Sequence, residues 1–591
     1  MTERRLVVLY GSQTGTAEEV AERAGREGER LHFSSVVSSM DGFPLTELPT
    51  SALVIYVAAT TGQGEEPDNM KKTWRFLLRK NLPPNSLENQ RFGVLGLGDS
   101  GYPKFNHVAK KLSKRLVQLG GVQLLAPGLG DDQHDLGPDF VIDSWLETFW
   151  RLALQLYPLP PGLLPVSKEV RPAPRFVMAR SEGADGRAEE TAGGLAGCPV
   201  ISCERQTPPG HFQDVRLLRI NIRDAALTYS PGDVALVQPE NLQENIDFFF
   251  KLFPHIDPDK PFTLTPSNPR SKMPNLPQPC TMRFAVRHYL DIQSIPKRYF
   301  FELLSHFTTD ELEKEKFIEF TTAEGQQDLY DYCNRPRRNI LEVLHDFRHT
   351  TPNIPEEYLW DLIPAIKPRS FSIASSPSYH GDVLELLVAV VNYSTVLKSP
   401  RKGLCSTWIS RLKTGDVVNI TTKKGTLKFP EAPTPIVMVG PGTGIAPFRS
   451  FLLDNSAKQR PCLLYFGSRN READFFFEED WKRLENLEVV TAFSRDQEDK
   501  VYVQHRMKET KEKLCRWECS PFPSLLLNLR SCRFLLAESG WLFVAGSSKN
   551  MPGQVRTALV SALSTELGED QAELFVENLE KTGKYQMETW S

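Results

Sequence analysis

Hydroxyl side chains alternate with glycine in GSQTGTA, residues 11–17, directly after the apolar run LVVLY. Where a tight turn leads from a strand into a helix, Ser12, Thr14, Thr16 and the backbone N–H groups can surround a phosphate monoester without a fixed cation. The stretch has neither the lysine nor the spacing of a triphosphate loop, which argues against a nucleoside triphosphate with Mg²⁺. Taken alone it is equally compatible with a capped turn, because Ser, Thr and Gly commonly precede helices. A second glycine-rich loop, GPGTGIAPF at Gly440–Phe448, also follows an apolar strand-like run and opens a helix. Downstream of it SRDQEDKVYVQ carries Ser494, Arg495, Lys500, Tyr502 and Gln504. An arginine and a lysine converging on a ribose favour a 2′-phosphate, hence NADPH over NADH. Further candidates are RSFSIASS from Arg369, GLCS at 403–406, and the terminal METWS.

Strands and helices must hold these loops in place. In the first 150 residues LVVLY, LVIYVAAT and FGVLGLG alternate with the amphipathic stretches TAEEVAERAGREGERL, NMKKTWRFLLRK and FNHVAKKLSKRLVQLG. That alternation predicts a parallel, doubly wound sheet whose ligand lies at the carboxyl ends of the strands. Each run ends in a polar loop, GSQTGTA, TTGQGEEPDN or GDSGYPKFN. YPLPPGLLPVSKEVRPAPR and then GADGRAEETAGGLAG have linker composition. Short strand-like runs from about 198 to 240, helical texture from about 285 to 365, and strands again at RSFSIASS and LELLVAVVNY predict a β-barrel with a helical insertion. From Pro435 onward the βαβ texture returns. The expected domains are 1–152, a Pro-rich linker 153–172, a barrel 173–432 with its insertion at about 240–365, and a final α/β domain 433–591.

A chain of 591 residues is too long for one core. A formal charge of −4 and the lack of a long Lys/Arg run disfavour nucleic acid. No apolar segment approaches the ~20 residues of a membrane span, and the start lacks a secretory h-region, so the protein is expected in the cytoplasm without a membrane anchor. The nine cysteines lack metal spacing and read as reduced and mostly structural, and no metal site is expected.

The three early loops in this order, with the acidic GLGDDQHD after them, resemble the flavodoxin-like FMN domain of the diflavin reductases. RSFSIASS resembles the R-x-[YF]-S signature of their ferredoxin-reductase-type FAD barrel, and GLCS is spaced as its second FAD-phosphate loop. The resemblance covers nearly the whole chain and implies a multidomain α/β enzyme of EC class 1, an NADPH-dependent oxidoreductase. It implies FMN contacts from Ser12, Gln13, Thr14, Gly15, Thr16 and Ala17, then Ala59, Thr60, Thr61 and Gly62. The third loop would add Leu97, Gly98, Asp99, Ser100, Gly101, the ring-stacking Tyr102, Pro103, Lys104, Phe105 and Asn106, with Asp132 beyond it. FAD would be held by Arg337, Arg369, Ser370, Phe371 and Ser372, by Gly403, Leu404, Cys405 and Ser406, and be covered by Trp590. NADPH would meet Thr443, Ser494, Arg495, Lys500, Val501, Tyr502, Val503 and Gln504. Ser372, Glu588 and Trp590 are the implied catalytic residues, Trp590 as a gate that moves when hydride transfers.

Within the family the likeness is greatest to the branch serving cytosolic iron–sulfur cluster assembly, which implies electron flow from NADPH to FAD to FMN and on to an iron–sulfur partner, anamorsin. Two other readings remain: a cytochrome P450 reductase-like donor to haem proteins, which the missing anchor opposes, and a flavin-binding scaffold that no longer turns over. The scaffold reading is motivated by departures from the family pattern. Thr61 stands where many members carry tyrosine, Ala545 replaces a cysteine, Ser547 an acid, and Gln554 a usually acidic residue. The segment 513–540 is longer and more apolar than the family's helix there.

Overall fold

In the computed structural model, which describes residues 4–62, 64–102, 104–180, 195–267, 273–322, 324–396, 400–432, 434–458, 460–515, 540–548 and 550–590, LVVLY forms most of strand β1 (Arg5–Gly11). Pro103 and residues 516–539 of the long apolar segment lie outside the described residues. Alternate residues of β1 serve opposite faces of a sheet, as the period of two requires. Leu6 and Val8 pack under helices α1 (Thr16–Arg30) and α4 (Asp139–Leu156), whereas Val7 and Leu9 pack with α2 (Lys71–Leu77) and α3 (His107–Gln118). Burial on both faces is why the strand reads as unbroken apolar sequence.

The other strands are β2 (Ser34–Ser39), β3 (Leu53–Ala59), β4 (Arg91–Gly98), β5 (Val122–Gln123) and β6 (Gly128–Asp131). Their order is β2-β1-β3-β4, with β5 and β6 both pairing β4, and every pair is parallel. The order reverses between β1 and β3, and a doubly wound sheet offers its ligand crevice at the carboxyl end of such a switch. All three candidate loops leave the sheet at that edge.

Two compact units form. One comprises Met1–Gly186, Asp247–Pro274 and Leu290–Ala365, the other Arg187–Ile246, Asn275–Tyr289 and Ile366–Ser591. The helices of 290–365 thus pack with the doubly wound sheet, so compactness divides the 173–432 stretch differently from chain continuity. Charges join them: Asp143 of α4 accepts hydrogen bonds from Arg23 and from Arg298, each at 2.7 Å. Arg30 pairs with Glu302 at 2.8 Å, and Lys297 with Glu19. Burial works against the ionised Asp143, but Arg23 and Arg298 hold its carboxyl below the usual range. Its contribution is therefore complete above about pH 4 and fades as pH falls further. Asp143→Ala is expected to cost this joint about 1–3 kcal/mol, seen as faster amide hydrogen exchange in α4 and in helix Arg298–Leu304. Unchanged exchange would show that the joint rests on apolar packing alone.

In the second unit six antiparallel strands run in the order 369–372, 234–238, 417–423, 196–205, 215–221, 383–389. A bridge between Ile373 and Leu386 brings the first and last together and closes a barrel around Leu218, Ile220, Ala235, Leu384 and Ile420. A parallel five-stranded sheet follows, ordered 487–493, 462–468, 436–439, 541–547, 585–590. Barrel residues Val215, Leu217, Leu387 and Leu427 share one apolar cluster with this sheet's Ile436, Leu464 and Phe543. Among the described residues no helix is long and apolar enough to cross a membrane.

Candidate active site

Helix α1 begins at Thr16, with Gly15 before it in the left-handed region at φ 107 and no side-chain cap. Glycine alone adopts that turn cheaply, and an uncapped helix start leaves backbone N–H groups available to an anion. Ser12 Oγ accepts the Gly15 N–H at 3.0 Å, and Asn69 Oδ1 accepts the Ser12 N–H at 2.8 Å. Gln13 exchanges two hydrogen bonds with Asp68, at 3.0 and 3.1 Å. Thr14 is exposed and Ala17 buried. In the second loop, after Ala59, the Thr60 N–H donates to Leu97 O at 2.9 Å. Thr61 gives its N–H and its hydroxyl to Glu65 O, at 2.9 and 3.0 Å, so the hydroxyl serves the loop itself, beside Gly62 at φ 49.

The third loop leaves β4 at Gly98. Gly101 N–H donates to Asp99 Oδ1 at 2.8 Å, and Ser100 N–H to Asp131 Oδ1 at 2.9 Å. Tyr102 is half-buried, and Lys104 lies so close to Gly64 that a Cβ there would sit 2.5 Å from Lys104 Cδ. Phe105 carries Lys110 over its ring, and Asn106, at φ 52, donates to Gly130 O at 2.9 Å. Asp132 N–H donates to Gly98 O at 2.9 Å. The three loops meet at the carboxyl ends of β1, β3 and β4, the edge that the strand–helix alternation predicts, while Pro103 lies outside the described residues.

In strand 369–372, Arg369 stands opposite Val237 and Phe371 opposite Ala235, with Phe371 packed on the barrel core and Ser370 exposed. A Cβ on Gly403 would meet Val391 Cβ and Ser406 Oγ, each at 2.9 Å, so only glycine fits this turn. Ser406 Oγ accepts the Val391 N–H at 3.0 Å, and Leu404 and Cys405 are buried. Burial pushes the Cys405 thiol up to about 12 against the opposing charge of Arg369, so it stays protonated. The neighbouring Thr407 Oγ1 is buried with no hydrogen-bond partner among the described residues. A glycine-only turn beside an unmatched hydroxyl and an arginine fits a phosphate-bearing group. Arg337, at φ 55, belongs to the first unit.

Ser372 Oγ donates to Glu588 Oε1 at 2.5 Å although 216 residues separate them. Burial raises the Glu588 carboxyl, opposed by hydrogen bonds from Ser372 and Thr426. Parallel pairing sets Ala545 beside Glu588 and Ser547 beside Trp590. Ala545 is fully buried in the apolar cluster, and Trp590 is 39% exposed.

Thr443 lies in a short turn of helix, Gly442–Ile445, at the carboxyl end of strand Ile436–Val439. A Cβ on the adjacent Gly444 would be 2.2 Å from Ala545 O, which requires glycine. That strand is where this sheet's order reverses, the other crevice expected of a doubly wound fold. Ser494 N–H donates to Ser468 O at 2.9 Å, and Arg495 N–H to Arg469 O at 2.8 Å, extending the ladder past the strand ends. Arg495, Lys500 and Tyr502 are exposed, Val501 is half-buried, and Val503 and Gln504 are buried. Gln504 Nε2 donates to Gln554 Oε1 at 3.0 Å, so the departure at 554 lies inside this constellation. Arg469 is lowered below its ordinary value, by burial and then by the charge of Arg495. Two arginines on adjacent strand ends, close enough for Arg495 to depress Arg469, with Ser468 Oγ buried and unmatched among the described residues, fit an anionic ligand.

Sequence reasoning missed Asn69, Arg469 and Thr426. Arg469 had a signal, since it follows a strand end where this fold class binds ligands, whereas Asn69 and Thr426 sit in loops with no periodicity to mark them.

Family models match in three successive stretches: flavodoxin at 8–145, FAD binding domain at 197–408, and oxidoreductase NAD-binding domain at 438–521. The chain is similar over its full length to proteins named NADPH-dependent diflavin oxidoreductase 1. That of Danio rerio is 46% identical, with all of both chains covered. That of Xenopus laevis is also 46% identical, and that of Schizosaccharomyces pombe 36%, again with all of each chain covered. Glycine-bearing loops at the strand ends, the order of these domains and end-to-end similarity from fish to fission yeast converge: the chain belongs to the NADPH-dependent diflavin oxidoreductases, flavoproteins that use FMN, FAD and NADPH.

Proposed function

We propose that the chain carries electrons from NADPH through FAD and FMN to an iron–sulfur protein, an anamorsin-like acceptor, in cytosolic iron–sulfur cluster assembly. The observation that supports the acceptor end is the acidic rim of the first loops. Glu65, Asp68 and Asp132 are exposed there, and Glu66 and Asp131 half-buried. Such a rim steers a partner with a basic face. The bound flavins supply the conversion of a two-electron hydride into single-electron steps. In this reading Ser12, Thr14, Thr16 and the start of α1 hold one phosphate, while Arg369 and the 403–406 turn hold a pyrophosphate. Arg495 and Lys500 bind the 2′-phosphate, and Ser372 with Glu588 manages the proton where hydride crosses.

The test is anaerobic mixing of the purified chain with NADPH and a purified iron–sulfur protein. Flavin absorbance should bleach, FMN and FAD should be present in equal amounts, and the acceptor should be reduced only when the chain is present, more slowly as salt rises. Reduction of a haem protein in place of the iron–sulfur protein would overturn the acceptor assignment. Inert bound flavin would overturn the reading as a whole in favour of a scaffold.

A further inference from the structure

We infer that Thr426 is a positioning residue for Glu588, holding the second carboxylate oxygen so that the first stays on Ser372. The inference rests on the proposed role of the Ser372–Glu588 pair in hydride transfer. Glu588 Oε1 takes the Ser372 hydroxyl at 2.5 Å, and Oε2 takes the Thr426 hydroxyl at 3.1 Å. A glutamate on an edge strand is fixed only at its backbone, here by pairing with Ala545. Its side-chain torsions stay free unless both oxygens are held. With the Ser372 hydroxyl on one oxygen and the Thr426 hydroxyl on the other, beside the Thr426 backbone N–H, the plane of the carboxylate is set.

The loop that presents Thr426 is itself pinned. A Cβ on Gly425 would lie 1.9 Å from Gly232 O, and one on Gly232, at φ 90, 2.3 Å from Leu427 O, so the two backbones touch and only glycine allows it. Lys424 Nζ pairs with Asp233 at 2.9 Å. On the other side Lys428 N–H donates to Gln586 Oε1 at 2.7 Å, which ties the loop to the strand that carries Glu588. Thr426 is otherwise exposed, so its hydroxyl has little to do with holding the fold together.

The groups that face Glu588 are few. Ser372 comes from one barrel strand, and Lys423 and Thr426 from the end of another and its loop; the adjacent Ala545 and Ser547 carry no charge. Burial raises the carboxyl, and Ser372, Thr426 and Lys423 lower it. Removing the Thr426 hydroxyl takes one donor from the charged form, leaves the Thr426 backbone N–H in place, and should move the titration toward higher pH.

The test uses the full chain as wild type, Thr426→Val, Thr426→Ser and Glu588→Gln. Infrared difference titration reads the protonated carboxyl of Glu588, identified by its loss in Glu588→Gln. Thr426→Val is expected to move the midpoint up by about one pH unit, and Thr426→Ser to restore it. The pH profile of flavin reduction by NADPH should move in parallel. An unmoved midpoint in Thr426→Val would overturn the inference, as would equal midpoints and equally lowered Tm in both Thr426 variants, the mark of a purely structural threonine. A midpoint that moves while the rate profile does not would support the positioning and overturn the role of Ser372–Glu588 in hydride transfer.

Discussion

Glu385→Leu is expected to destabilise the second unit by about 3–5 kcal/mol, because it takes from the buried Arg449 guanidinium one of its two carboxylate partners and leaves Asp480 as the other. Glu385 lies mid-strand in 383–389, only 3% exposed. Its carboxylate pairs with Arg449, takes the Arg219 Nε at 2.8 Å and faces His380 Nε2 at 3.2 Å. Arg449, 6% exposed, also reaches Asp480 at 2.7 Å and Ala374 O at 3.0 Å. It thereby joins a barrel strand to the helix after the second glycine-rich loop. Burial alone would raise the carboxyl, but His380, Arg449 and Arg219 hold it well below the usual carboxylate range. A depressed carboxyl stabilises the fold fully above about pH 4.3 and loses that contribution as pH drops below it. Denaturant unfolding of wild type, Glu385→Leu, Arg449→Met and the double variant measures the effect. The double variant should cost less than the sum of the single ones, since no unpaired charge is left between the two positions. A single-variant loss under about 1 kcal/mol would show that the cluster is solvated and of little weight.

Replacing Arg469 and Arg495 together by alanine should lower kcat/KM for NADPH by about 10²- to 10⁴-fold and leave NADH use nearly unchanged. Each charge-assisted hydrogen bond to a 2′-phosphate is worth about 1.5–3 kcal/mol, and every 1.4 kcal/mol is tenfold. Arg495→Ala alone should cost about ten- to hundredfold. The neighbouring guanidiniums repel each other in the absence of an anion, so the two losses should couple when compared in a double-mutant cycle. Equal losses for NADPH and NADH would place these arginines on a part of the coenzyme that both share. Phe212 supports the face of Arg469, so Phe212→Ala should weaken NADPH use in the same direction by a smaller factor.

Much of this architecture can be read locally. LVVLY and PIVMV announce buried parallel strands because burial on both faces demands unbroken apolar side chains. GSQTGTA and GPGTGIAPF announce tight turns at strand ends because close backbone approach and left-handed conformation demand glycine. The same local logic could not reach Glu385 and Arg449. Each is a lone charge in an apolar run, LELLVAV and IAPFRSFLL, and nothing within either run names its partner. Nor could it foresee that the helices of 290–365 pack against α1 and α4, because the residues that meet there, such as Arg298 and Asp143, lie 155 residues apart.

By itself the sequence determined most elements, the order of the three glycine-bearing loops at the strand ends and the type of side chain at each, because periodicity and turn chemistry act over a few neighbouring residues. Only the tertiary structure decided which distant groups share a site: Glu588 on Ser372 and Thr426, Gln504 on Gln554, Arg469 beside Arg495. Hydrogen bonds and charge pairs act over about 3–4 Å in space, whatever the distance along the chain, so strand order and barrel closure had to bring these residues together before their chemistry existed.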